Sequence, residues 1–191
     1  MKQQATFSTW ILLGCFTLSG IAPVAGQEPG AGQRIRASEV VLPADVKPGD
    51  YQRITRPFEN WTLVCDENLK ARTRVCNVSQ TIEDESGKLL FNWSLAATKD
   101  GKPYMLLRTA PDARSDGLVS LKFEGREASI DVRLDGCNGA VCVGMLPVGP
   151  IMREQISRNA APTVAYSTTD GRTVVVTATL KGISSAVQAI K

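Results

Sequence analysis

The position of two cysteines, Cys65 and Cys76, constrains the fold of this chain more than any other feature of the sequence. Each stands in a short stretch, WTLVC or CNVSQ, in which alternate side chains would share one face of a β-strand. If the two strands pair antiparallel with the cysteines opposite each other, a disulfide fits the geometry. The same register gives two further pairs, Leu63 with Val78 and Trp61 with Gln80. The pattern therefore predicts a staple that packs against the core.

Two other roles for these cysteines, metal binding and redox catalysis, fit the sequence less well. The chain contains no histidine, and no Cys-x-x-Cys motif precedes a helix. A second pair, Cys137 and Cys142, lies in DGCNGAVC, where Asn-Gly predicts a tight turn. Four cysteines outside the N-terminal segment allow three connectivities, and we favour local pairing. The second bridge would then close a small surface loop, at which serine replacements would be hydrated.

Residues 1–26 have the pattern of a secretory signal peptide. A mostly apolar run follows Lys2, and Val24-Ala25-Gly26 fits a small-residue cleavage site. A membrane anchor is the alternative, but the run is short for a span and no basic flank follows it. The segment Leu12–Cys15 resembles a lipoprotein cleavage box. Because the apolar run continues beyond that cysteine, we favour cleavage near Gly26, which predicts an exported chain.

Residues 27–56 predict a flexible leader, because Pro, Gly and charge are frequent there and apolar periodicity is absent. The short apolar patch at residues 40–42 could instead dock as an edge strand, although the prolines around it disfavour this. Residues 57–191 suffice for one domain. No other segment is apolar enough to span a membrane. Cleavage removes Lys2 alone among charged residues, so the net charge falls from +3 to +2, too weak to indicate a nucleic-acid partner.

The pattern of residues 57–191 is typical of an all-β sandwich or barrel. Nine short alternating runs are separated by turn signals: 58–65, 73–81, 88–98, 103–109, 117–124, 127–135, 140–147, 162–169 and 172–181. One register serves both strands of a hairpin, with the pairs Phe123–Ala128, Leu121–Ile130 and Val119–Val132.

Two short helices interrupt the β pattern. Pro150 suits the first turn of a helix over 150–160. Near the end of the chain, one apolar helical stripe is formed by Ile183, Ala186, Val187 and Ile190. We expect this stripe to cover an open end of the core.

The sequence indicates no catalytic centre, cofactor or metal site. Without histidine there is no Ser-His-Asp triad and no Cys-His pair. Asp131 and Asp135 could in principle act as a general acid and base. Their alternation along a strand with one solvated face explains their presence more simply. Residues 111–117 lack the calcium-loop pattern, and no glycine-rich phosphate loop is present. These observations predict a protein that is not an enzyme.

Four motifs in order, WTLVC, CNVSQ, DGCNGAVC and TLKGISSAVQAI, resemble the invasion-associated locus B (IalB) family of Gram-negative bacteria. The resemblance covers residues 57 to 191. It implies an immunoglobulin-like β-sandwich in the periplasm or on the outer surface. It also implies a structural role for the matching cysteines, Cys65, Cys76, Cys137 and Cys142. No catalytic residues are carried over.

We therefore expect a non-enzymatic exported protein that binds a macromolecular partner at the cell envelope or on host cells, through residues that the sequence does not identify. The alternative is a periplasmic housekeeping or envelope-stress factor without a role in invasion. A hydrolase is a third hypothesis, which a concave pocket with convergent polar groups would favour.

Overall fold

A computed structural model describes residues 36, 38–97 and 101–190, and the predicted signal peptide lies outside this part of the chain. The chain divides into two compact units, Met1–Val41 and Leu42–Lys191. In the first unit, Arg36 forms an ion pair with Glu39. The second unit contains all the helices and strands of the described residues, namely β1 (Tyr51–Phe58), β2 (Trp61–Asn68), β3 (Thr73–Glu83), β4 (Leu89–Ala97), β5 (Pro103–Thr109), β6 (Leu118–Lys122), β7 (Ile130–Cys137), β8 (Cys142–Pro147), α1 (Pro150–Ser157), β9 (Thr163–Ser167), β10 (Thr173–Thr177) and α2 (Ile183–Gln188).

The strands form one curled, antiparallel sheet of ten strands in the order β1-β2-β3-β4-β5-β8-β7-β6-β9-β10. All nine predicted runs are strands, with bounds shifted by a few residues. The prediction of an all-β fold with two short helices is thus confirmed. The immunoglobulin-like sandwich, in which two separate layers pack face to face, stays a prediction. Among the described residues, no helix is long and apolar enough to cross a membrane.

The sheet begins earlier than the sequence analysis placed it. Tyr51–Phe58 form an edge strand against β2, although residues up to 56 were assigned to the flexible leader. The assignment missed this strand because Arg53, Arg56 and Pro57 interrupt its apolar pattern, and most of its side chains are exposed. The apolar patch at 40–42 is not the edge strand, since residues 38–50 contain no strand.

Both predicted hairpins have the expected register. In the first, Cys65 lies opposite Cys76 and Leu63 opposite Val78. In the second, Leu121 pairs with Ile130, and Val119 with Val132. The expected pair of Phe123 with Ala128 lies beyond the end of the ladder: Phe123 is buried, but Ala128 is exposed in the turn.

The sheet changes direction at β7. The first half of this strand pairs with β6 and the second half with β8, and the register shifts between Leu134 and Gly136. Gly144 of β8 lies at this corner, where an added Cβ would stand 2.8 Å from the Arg133 carbonyl oxygen. Only glycine allows the two backbones to approach so closely, and the bulge lets one strand serve both parts of the sheet.

Aromatic side chains fill the concave face of the sheet. Trp61 and Trp93 stack with their ring centroids 5.5 Å apart, and Phe91 tilts against Trp93 at 5.8 Å. All three are buried, as are Leu63 and Cys65. The predicted inward face of the first cysteine strand is therefore confirmed.

The side chain of Gln80 lies within this apolar core and has a partner for each of its hydrogen-bonding positions. Its Oε1 accepts from Trp93 Nε1 at 3.1 Å and from the Thr179 N–H at 3.1 Å. Its Nε2 donates to the carbonyl oxygens of Asn60 and Thr179, at 3.3 and 3.2 Å. Trp61 Nε1 donates to the same Thr179 oxygen at 3.0 Å. The network joins β2, β3 and β4 to the segment that follows β10.

Gln80→Met should destabilise the protein by about 2–6 kcal/mol, because two N–H groups lose their acceptor. Methionine fills a similar volume, but it leaves the buried N–H groups of Trp93 and Thr179 without acceptors, at about 1–3 kcal/mol for each. Asn77→Met, at an exposed position of the same strand, is the matched control and should change stability by less than about 0.5 kcal/mol. Urea unfolding measures both, and equal losses would contradict the assigned role of the Gln80 amide.

Candidate functional site

The four predicted cysteines form two disulfides that lie in different parts of the sheet. Cys65–Cys76 joins β2 to β3, and Cys137–Cys142 joins β7 to β8. Both bonds connect the cysteines that the sequence analysis paired. Among the described residues there is no group of three or more His, Cys, Asp or Glu side chains that could hold a metal. The bridges are therefore structural features of two hairpins.

The burial of the second bridge differs from the sequence-based expectation. Cys142 is fully buried, while Cys137 beside it is exposed. The first bridge is similarly divided between buried Cys65 and half-buried Cys76. The prediction of a hydrated second bridge was thus wrong for one of its two sulfurs, because β8 turns Cys142 toward the core.

At several exposed aspartates, hydrogen bonds lower the pKa of the carboxyl group and so favour its ionised form. Hydroxyl groups of Ser120 and Ser129 lower the pKa of Asp131, which is exposed as predicted. The Thr168 hydroxyl, followed by the Arg172 guanidinium, lowers the pKa of Asp170 to about 2. A general acid requires a raised pKa, so the shifts at these carboxylates do not support acid catalysis.

A surface hollow of about 420 Å³ lies beside β6 and β9. Its lining is part polar and part apolar, and the Arg114 guanidinium is paired with the Asp116 carboxylate at 3.3 Å within it. The hollow therefore has no unpaired charged side chain among its described lining residues. It does not support the hydrolase hypothesis.

A second concavity, which we call the helix groove, lies between α1, α2 and one end of the sheet. Its volume is about 300 Å³, and its lining is mainly apolar. The apolar members are Leu95, Pro103, Val148, Ile156, Ile183 and Val187, and the polar members are Ser184 and Gln188. Among the residues that the structure describes, no titratable side chain and no cysteine lines the helix groove. Its chemistry favours the binding of apolar groups.

The groove exists because the apolar stripe of α2 is wider than the core that it covers. Ile183 and Ala186 are buried, as predicted for the whole stripe. Val187 and Ile190 remain 37% and 36% exposed. The prediction that the stripe covers the core is therefore confirmed for Ile183 and Ala186. Val187, by contrast, is partly exposed and lines the groove.

Gly182 sets the position of α2. Its φ angle is +95°, and a Cβ there would stand 2.5 Å from the Phe58 carbonyl oxygen. The left-handed angle and the close approach both require glycine. The helix is thereby pressed against the turn between β1 and β2, and its exposed residues Ser184, Val187 and Gln188 line the groove.

Sequence reasoning found α2 but not the helix groove. The groove is lined by β4, the start of β5, the end of α1 and α2, together with Val148 between β8 and α1. These segments are far apart in the chain, and only folding brings them together. The signal that could have pointed to the groove was the length of the apolar stripe: three of its residues lie on the six-residue helix, and Ile190 lies two residues beyond its end.

Removal of either bridge by a double Cys→Ser change should lower stability by a similar amount. Loop closure contributes about 3 kcal/mol for Cys65–Cys76 and about 2 kcal/mol for Cys137–Cys142. Each pair also buries one new hydroxyl, at about 1–3 kcal/mol. The two losses should therefore agree to within about 1 kcal/mol in urea unfolding. A loss much below 2 kcal/mol for Cys137→Ser/Cys142→Ser would show that Cys142 is hydrated.

Comparisons with known proteins agree with the motifs in the sequence. The family model described as Invasion associated locus B (IalB) protein matches residues 61–191. A solved structure, that of invasion associated protein b from Bartonella henselae, is similar in fold, with a TM-score of 0.59 and 15% sequence identity. The match covers 71% of this chain and 93% of that one. No curated protein matches the chain. Since the family model spans most of the sequence, the chain belongs to the IalB family.

Proposed function

We propose that this protein is exported and acts without catalysis, by binding an apolar segment of a partner protein in the helix groove. The observation that carries the proposal is the open apolar concavity beside partly exposed Val187. An apolar patch with a polar rim is typical of a surface that another molecule covers. The partner would be a component of the cell envelope or of a host cell.

The chemistry of α2 favours a protein over a lipid surface. A helix that lies on a membrane has a basic polar face opposite its apolar one. The helix α2 carries no basic side chain, and its polar residues are Ser184, Ser185 and Gln188. The neutral hydrogen-bonding groups at positions 184 and 188 suit the backbone of a bound peptide better than lipid phosphates.

Two disulfides support export, because such bonds form and persist in oxidising compartments. Membership of the IalB family points the same way. In this proposal residues 1–26 direct secretion and are removed near Gly26. The mature protein then acts in the periplasm or on the outer surface, without a cofactor and without nucleic acid.

The curled sheet would serve as an immunoglobulin-like sandwich that holds the groove rigid. Its two parts approach each other through β4 and β10, and the Tyr166 hydroxyl donates to the Leu90 carbonyl oxygen at 2.7 Å. The Gln80 amide makes a second connection to Thr179. A binding surface on such a scaffold changes little on association, which lowers its entropic cost.

The proposal can be tested by photo-crosslinking in cells that express the full chain. A photoreactive residue replaces Gln188 at the groove, and in a matched control it replaces Ser129, an exposed residue that does not line the groove. We expect a defined protein adduct from position 188 alone. Val187→Asp should abolish the adduct, because it places a charge in the apolar groove. The same change should lower stability by less than about 1 kcal/mol, since Val187 is already partly exposed.

The other outcomes would overturn the proposal. An adduct that forms equally from position 129, or one that survives Val187→Asp, would show that the groove is not the binding surface. Adducts with lipid alone would assign the groove to a membrane surface. Protease accessibility on intact cells separates the two settings: a surface-exposed pool favours host contact, whereas a strictly periplasmic pool favours an envelope role without invasion.

A further inference from the structure

The two edges of the sheet differ in how they are protected against pairing with another strand. The edge strands are β1 and β10. Just before β1, the Leu69 N–H donates to the Asp50 carbonyl oxygen, so by alternation the backbone N–H and C=O groups of the odd-numbered residues of β1 point away from β2. Pro57 is one of them and has no N–H to offer, and Arg53 and Arg56 add charge. Proline and charge are the usual means of blocking an edge.

The edge of β10 has none of these protections. Its sequence is TVVVT, without charge, proline or a register shift against β9. Backbone hydrogen bonds to the β9 side come from residues 172, 178 and 180. By alternation, the N–H and C=O groups of Thr173, Val175 and Thr177 point away from β9. In the part of the chain that the structure describes, no strand pairs with them.

Thr179 shows what this edge accepts. It is the next outward residue after Thr177, and its N–H and C=O both bind the Gln80 amide. The side chain of Gln80 thus occupies the place of a neighbouring strand at position 179. Because Gln80 occupies position 179, the outward backbone groups that remain free on this edge are those of Thr173, Val175 and Thr177.

We propose that β10 pairs antiparallel with β10 of a second copy of this chain, about a two-fold axis at Val175. The sequence TVVVT reads the same in both directions, so Val175 meets its own copy and Thr173 meets Thr177. Every outward N–H and C=O then finds a partner, since outward residues face outward residues. Such a contact is isologous and closes at two copies. The inference goes beyond the proposed function, because no residue of β10 lines the helix groove.

Side chains and charges fit this register. Val175 is 61% exposed, and in the dimer it would pack against its own copy, a favourable cross-strand pair. Arg172 would lie opposite Ala178, so no like charges meet. The turn at Asp170 of each copy, in which Asp170 is paired with its own Arg172, would approach Lys181 of the other copy, which is paired with its own Glu59. Each turn also ends the pairing beside Thr179, where Gln80 already occupies the edge.

Sedimentation of the full exported chain over a range of concentrations tests the proposal. We expect a monomer–dimer equilibrium, which Val175→Lys should weaken by at least about tenfold by placing two charges opposite each other. Leu118→Lys is the matched control. It also changes an exposed apolar residue of a strand, but one in β6, away from the edge, and it should leave the dimer intact.

A second variant locates the contact directly. Val175→Cys should yield a covalent dimer under mild oxidation, and Leu118→Cys should not, provided that circular dichroism shows the same fold in both. A wild-type chain that stays monomeric at every concentration would overturn the proposal. So would a dimer that Val175→Lys leaves unchanged, or one that both cysteine variants crosslink equally.

Discussion

The carboxamide of Gln80 is the interaction on which the rest of the fold depends. It lies on a central strand, yet it binds the peptide group of Thr179 in the manner of an adjacent strand. A buried amide is costly unless each of its hydrogen-bonding positions has a partner. Trp93 and Asn60 supply the remaining partners, so the segment after β10 is held in one place over the core. That placement in turn determines where α2 begins.

The disulfides have a more local effect than their number suggests. Each joins two strands that are neighbours in both the chain and the sheet. They restrict the unfolded chain and secure two hairpins, but neither connects the distant parts of the curled sheet. Those parts are joined by hydrogen bonds, from the Tyr166 hydroxyl to the Leu90 carbonyl oxygen and between the Gln80 amide and Thr179. The disulfides thus stabilise pairs of neighbouring strands, whereas non-covalent contacts hold distant strands together.

The helix groove and the β10 edge have a common physical origin. Both are places where a pattern suited to burial extends beyond the core available to it. The apolar stripe that begins in α2 and ends at Ile190 has four residues, of which the core covers Ile183 and Ala186. In β10, Val174 and Val176 face inward, and Val175 between them is left in solvent. Surfaces of this kind are the ones that a second molecule stabilises by covering them.

Local patterns in the sequence determined the strands, the two helices and the register of both hairpins, because side-chain alternation and cysteine spacing act over a few residues. The pairing of Cys65 with Cys76 follows from that alternation, and so does the inward face of Trp61. Alternation could not reveal β1, because Arg53 and Pro57 obscure an edge strand whose side chains are mostly exposed. Only the tertiary structure decided the burial of Cys142, the role of Gln80 and the helix groove. Each depends on contacts between residues far apart in the chain, and a pattern that extends over a few neighbours contains no information about them.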